Sequence, residues 1–137
     1  MVEERKTPGG CPYKVFVVYT DTLNLNFDED NTTVVVNTVK EILDSIEREM
    51  PLLIDLQRVR WIDSKSINVL ISLMSDLREK QKKGWWKPSF LFSKYLYGIL
   101  VELKMNCNFL SFLEEENFQN DYEKSCIDET DNKKKSS

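Results

Sequence analysis

The sequence predicts an α/β fold, a single mixed, mostly parallel sheet flanked by helices in the order β-β-α-β-α-β-α-β-α. Three observations predict it. Leu52-Leu53-Ile54-Asp55-Leu56 is a short, nearly continuous apolar run, the mark of a strand covered on both faces. On either side lie segments with apolar residues at helical spacing, Val35 to Ile46 and Ile67 to Leu77, as crossovers between parallel strands require. The chain has 137 residues, 41% of them apolar, which suits one compact domain and not two.

Residues 1–12, ending in Thr7-Pro8-Gly9-Gly10-Cys11-Pro12, read as a flexible leader, with order expected from Tyr13. Tyr13 to Tyr19 is Val-rich and aromatic, and after Asp21-Thr22 the residues Leu23, Leu25 and Phe27 alternate with asparagines, so two strands joined by a tight turn are expected. The polar loop from Asp28 to Thr33 is rich in capping residues and leads into the first helix, whose apolar positions are Val35, Val39, Ile42, Leu43 and Ile46. Pro51 follows it, and Leu52 to Leu56 is the central strand. The second helix begins near Ser64 and presents Ile67, Leu70, Ile71, Met74 and Leu77, with Lys80, Lys82 and Lys83 at the end where its dipole favours cations and Gly84 beyond. Phe90-Leu91-Phe92 is the next strand. Leu96, Ile99, Leu100 and Leu103 mark a third helix, Phe109 to Phe112 a short strand, and Leu113 to about Tyr122 a last helix. The domain is therefore expected over 13–122, with a disordered tail over 123–137, where apolar content falls away.

Composition excludes much chemistry. With no histidine there is no Ser-His-Asp or Cys-His nucleophile and no imidazole metal site. Four glycines, at 9, 10, 84 and 98, cannot write a P-loop or a GxGxxG turn. A net charge of −4 disfavours nucleic acid as a partner. Three cysteines, Cys11, Cys107 and Cys126, at wide spacings fit a reduced, cytoplasmic chain. The charged Met1 to Lys6 precedes no apolar signal core, and no run reaches the roughly 18–20 apolar residues of a spanning helix, so no membrane insertion is expected. An enzyme is not expected, nor a cofactor or metal. The one conceivable cluster, Asp30, Asp55 and Asp63, would need three distant carboxylates to converge.

One stretch is chemically pointed. From Ile54 through Trp61-Ile62-Asp63-Ser64-Lys65-Ser66-Ile67-Asn68 the chain passes from a buried strand through a turn into a helix that opens on an acid and hydroxyls. A helix N-terminus exposes unpaired N–H groups and the positive end of the dipole, so a phosphate carried there is stabilised by the backbone. Ser64 is the natural acceptor and Ser66 the reserve. An Asp-Ser pair at this position also reads simply as a helix cap.

The same segment, Ile54-Asp55-Leu56 … Trp61-Ile62-Asp63-Ser64 … Val69-Leu70, resembles the signature of STAS domains, the anti-sigma factor antagonist family. The Leu23 to Phe27 stretch with its acidic loop, Phe92-Ser93, and Leu100-Val101-Glu102-Leu103 followed by Phe109 and Phe112 fall in the family's order. The resemblance implies a STAS-like fold over roughly Tyr13 to Tyr122 and a phosphorylation-sensitive regulator of transcription. Its partner would be an anti-sigma factor with serine kinase activity, and a serine phosphatase would reverse the modification. Ser64 then matches the phosphorylated serine and Asp63 the aspartate before it. Asp30, Lys65, Ser66, Asn68, Ser93 and Lys94 would complete the partner-binding face. The family's glycines in this segment are replaced by Ser66 and Asn68, and Phe27 stands where many members have another, so a thicker docking surface is expected. A STAS scaffold or transporter accessory subunit that is never phosphorylated is the alternative.

Overall fold

The computed structural model describes residues 2–25, 30–46, 50–82, 88–103 and 111–124, with backbone alone at 80–82. It is an α/β fold with a five-stranded, mostly parallel sheet. The strands are β1 (Val2–Lys6), β2 (Pro12–Val17), β3 (Thr22–Leu23), β4 (Leu52–Leu56), β5 (Trp61–Ile62), β6 (Ser89–Phe92) and β7 (Ser111–Phe112). The helices are α1 (Thr32–Ser45), α2 (Ser64–Lys82), α3 (Lys94–Glu102) and α4 (115–124). The main sheet runs β1-β2-β4-β6-β7, and β3 and β5 form a separate parallel pair. Only β1 is antiparallel to its neighbour; β2/β4, β4/β6 and β6/β7 are parallel.

Three expectations are corrected here. Residues 2–6 are not a loose leader but an edge strand, paired with β2 from Val2↔Phe16 to Lys6↔Pro12. Its residues, Val2-Glu3-Glu4-Arg5-Lys6, carry charge where an interior strand carries apolar side chains, which hides the strand signal and protects the edge. The turn that joins the two is the Pro8-Gly9-Gly10 segment. Gly10 takes φ +92°, a left-handed value that suits glycine, and its N–H reaches the Thr7 carbonyl at 2.9 Å. Second, the Leu23 to Phe27 alternation is not a hairpin partner of β2. Among the described residues of this stretch the strand is Thr22–Leu23, and it pairs with Trp61–Ile62, far along the chain. Phe27 lies outside the described residues, as do Gly84, Trp85, Trp86, Cys107, Phe109 and the chain beyond 124. Third, the last helix continues past Tyr122, so the segment from Glu123 onward does not begin as tail.

The direction of the crossovers decides where the helices lie. From β2 to β4, β4 to β6 and β6 to β7 the chain always steps to the next strand on the same side. Right-handed connections then place α1, α2 and α3 on one face. The core follows that geometry: Val39 and Leu43 of α1, Leu70, Leu73, Met74 and Leu77 of α2, and Leu96 and Leu100 of α3 pack on Phe16, Ile54, Leu56, Phe90 and Phe92. Phe90 and Phe92 stack with ring centroids 5.4 Å apart.

The opposite face is left to α4. Phe118 packs on Tyr13, Val15, Val17, Leu53 and Leu91, with Phe112 and Tyr122 at the margin. Polar contacts hold the helix in register on the β1–β2 hairpin. The Tyr122 hydroxyl donates to the Pro12 carbonyl at 2.8 Å and the Gln119 amide to the Tyr13 hydroxyl at 2.7 Å. The Glu123 carboxylate accepts from the Gly9 N–H, and Arg5 bridges Glu3 and Glu115. Cys11, in the turn of the same hairpin, is buried and disulfide-bonded, which corrects the expectation of three reduced thiols. Among the described residues no helix is long and apolar enough to cross a membrane.

Candidate functional site

The carboxyl ends of β2, β4 and β6 lead to the amino ends of α1, α2 and α3, so these helix starts share one edge of the molecule. Open α/β sheets place their functional residues at this edge.

Asp63 organises the edge. It precedes α2 and caps it: Oδ1 accepts the Ser66 N–H at 2.7 Å and its carbonyl accepts the Ile67 N–H at 3.0 Å. Its other oxygen, Oδ2, accepts the Leu25 N–H at 3.0 Å, joining the segment after β3 to the start of α2. Burial disfavours the ionised carboxylate, but the Leu25 N–H, the Ser66 hydroxyl and N–H, and the charge of Lys65 outweigh it, so the Asp63 carboxyl lies below its ordinary value. A lowered folded-state value means that the ionised group stabilises the fold above the unfolded value and that this contribution is lost as pH falls through the folded one. Asp63→Asn is therefore expected to be less stable than wild type near neutrality, because its amide nitrogen would face one of the two backbone N–H donors, and the difference is expected to shrink on acidification below about pH 4 as wild type loses the carboxylate's contribution. Urea midpoints at neutral and acid pH check it. Equal acid sensitivity in the two proteins would remove Asp63 from this role.

Because Asp63 is the cap, Ser64 is not. Ser64 is the first residue of α2, is exposed, and its hydroxyl has no hydrogen-bond partner among the described residues. Lys65 and Asn68 are exposed beside it.

Ser66 is the opposite case. It is fully buried, and its hydroxyl lies 2.7 Å from the Thr32 hydroxyl, itself 3.2 Å from the Asn24 carbonyl. The reserve acceptor is thus enclosed and unavailable to a kinase in the folded chain. For the same reason Ser66 does not thicken the surface in place of a glycine; it spends its side chain on tying α2 to α1. Asn68 does project outward.

Asp30 accepts the Thr33 N–H at 3.0 Å and remains exposed, so it serves the start of α1. Asn31, which sequence reasoning passed over, is the larger organiser. Its Oδ1 accepts the Asn24 N–H at 2.9 Å and its amide donates to the Thr22 carbonyl and the Thr20 hydroxyl, fixing β3 against α1. Asn24 Oδ1 is buried with no partner among the described residues. Ser93 caps α3 through the Leu96 N–H at 3.2 Å and donates to the Val59 carbonyl at 2.8 Å, so it is committed to holding the turn before β5. Lys94 is exposed.

The structure therefore brings Asp63, Ser64, Lys65 and Ser66 together at one helix start, linked to Thr32 by the buried hydroxyl pair, while Ser93 and Lys94 stand at a neighbouring one. Asp30, Asp55 and Asp63 do not form a cluster. Each carboxylate serves a different backbone N–H, of Thr33, Gln57 and Leu25 respectively, and among the described residues no group of three metal-ligating side chains assembles. Sequence reasoning also missed Tyr19, Arg58 and Arg60, which line an open depression of about 540 Å³ with Thr20, Asp21 and Gln57. The available signal was the alternation Arg58-Val59-Arg60, whose central residue is fully buried. Compared with family models, curated proteins and solved structures, the chain matches none.

Proposed function

We propose that this chain is a STAS-like anti-sigma factor antagonist, a binding module whose affinity for an anti-sigma factor kinase is switched by phosphorylation of Ser64. The observation that carries the reading is the division of labour at the start of α2: Asp63 does the capping and leaves an exposed hydroxyl at the first helical position. A phosphate there would meet the positive end of a 19-residue helix without any rearrangement of the cap. The chain needs no catalytic group of its own, because kinase and phosphatase supply the chemistry. Binding face and switch coincide in Asp63, Ser64, Lys65, Asn68, Asp30 and Lys94, with Ser66 and Ser93 as positioning residues beneath it.

A kinase that uses ATP places this reading in the cytoplasm, where a disulfide at Cys11 is not expected to persist. The switch therefore has to operate with Cys11 reduced as well as oxidised. Titrating the anti-sigma factor kinase with wild type, Ser64→Ala and Ser64→Asp, each with and without reductant, tests this. Tight binding by wild type and Ser64→Ala and weak binding by Ser64→Asp, in both redox states, is the expected pattern. Equal binding by all three favours a constitutive scaffold instead. That second reading draws on Lys65 and Asn68, exposed side chains where the resemblance expects a small hydroxyl residue and a glycine.

A further inference from the structure

The turn between β4 and β5 is fixed from both sides. Val59 is fully buried, its N–H donates to the Leu56 carbonyl at 3.2 Å, and its carbonyl accepts from Ser93. The Arg60 and Trp61 N–H groups donate to the Asp21 carbonyl at 2.7 and 3.1 Å. With Val59 anchored inward, the side chains of Arg58 and Arg60 are exposed. Arg58 lies over the Tyr19 ring, 4.7 Å from its centroid. Among the described residues neither guanidinium has a carboxylate within ion-pair distance. The Asp21 carboxylate, on the rim of the same depression, accepts from the Thr22 hydroxyl instead. Tyr19 and Trp61 are about half exposed, at 50% and 52%.

We propose that this depression, with Arg58, Arg60, Gln57 and Tyr19, is a docking site for an acidic segment of a partner protein, whose carboxylates pair with the two guanidiniums. Arginine and tyrosine are among the residue types that carry most interface energy, and a turn held by four hydrogen bonds presents the two arginines with little ordering cost. Guanidiniums pair with carboxylates in a planar, two-bond geometry that a lysine pair would not supply. Two arginines on a chain of net charge −4 are too few for a nucleic-acid track, which leaves a protein segment as the occupant. Ser64 does not line the depression, so the site stands independently of the phosphorylation reading.

The test uses the full chain. Random dodecapeptides displayed on phage are panned against wild type and, in parallel, against the Arg58→Glu/Arg60→Glu double variant, whose fold is checked by its urea midpoint. Support requires that wild type enriches peptides with an excess of Asp and Glu. Their synthetic versions must also bind at least tenfold more weakly to Arg58→Ala and to Arg60→Ala, and more weakly to the Arg-to-Lys variants. Enrichment without acidic bias, or equal binding by the double variant, overturns the proposal. So does displacement of the peptides by a single-stranded oligonucleotide that itself binds more tightly. If the double variant does not fold, the alanine and lysine variants decide alone.

Discussion

Phe118→Ala is expected to destabilise the chain by about 3–5 kcal/mol, the range for truncating a large buried aromatic side chain. Phe118 is 3% exposed and is the one residue of α4 that is buried. Its ring meets Tyr13 edge-on at 5.0 Å and Phe112 at 5.8 Å. The three crossover helices all lie on the other face, so among the described residues no neighbouring helix is in place to fill the gap. The remaining ties of α4 are exposed or half-buried: polar contacts, and the ring of Tyr122 edge-on to Tyr13 at 6.4 Å. The Arg5 bridge to Glu115 is a partly exposed ion pair of the kind worth about 0–1 kcal/mol. Without Phe118 these contacts are expected not to retain the helix. Urea denaturation gives the stability loss, and amide exchange over 115–124 reports release of α4. A loss below about 1 kcal/mol with protection intact would show that the remaining contacts suffice.

Under the proposed function, Ser64→Asp, and more strongly a phosphate on Ser64, is expected to lower the affinity for the proposed anti-sigma factor kinase by about a hundredfold, or 2–3 kcal/mol. Phosphorylation adds roughly −1.5 to −2 charges. Those charges would stand beside Asp63, which is held ionised by Leu25 and Ser66 and cannot relieve the repulsion by taking up a proton near neutrality. A partner surface fitted to a neutral hydroxyl then faces two adjacent anions. Lys65 offsets part of that field, so Lys65→Gln is expected to enlarge the difference between the two forms. Equal dissociation constants for wild type and Ser64→Asp, measured by titration calorimetry, would contradict this.

The parts of the fold legible in the sequence are those whose pattern arises locally. Leu52 to Leu56 is buried on both faces because β4 lies mid-sheet, and its apolar run says so without reference to any other residue. The starts of α2 and α3 were legible through Asp63 and Ser93, since capping is a matter of a few neighbouring residues. β1 was not, because an edge strand needs few apolar residues and its pairing is visible only beside β2. The pairing of Thr22–Leu23 with Trp61–Ile62 was not, because a parallel pair so distant in sequence leaves no local period. At the site, sequence ranked Ser64 ahead of Ser66 but could not show that Ser66 is enclosed. The enclosure depends on Thr32, which approaches from α1 and draws the Ser66 hydroxyl inward.

Peptide mapping of the phosphorylated chain tests the central claim most directly. After incubation with the proposed partner kinase and ATP, trypsin cuts after Arg60 and Lys65, which places Ser64 alone in the peptide 61–65 and Ser66 in the next one. Phosphate on the peptide 61–65 of wild type, and none on any peptide of Ser64→Ala, is the result the proposed function predicts. Phosphate on the peptide that begins at Ser66, or an unmodified chain under conditions in which the kinase is active, would contradict it.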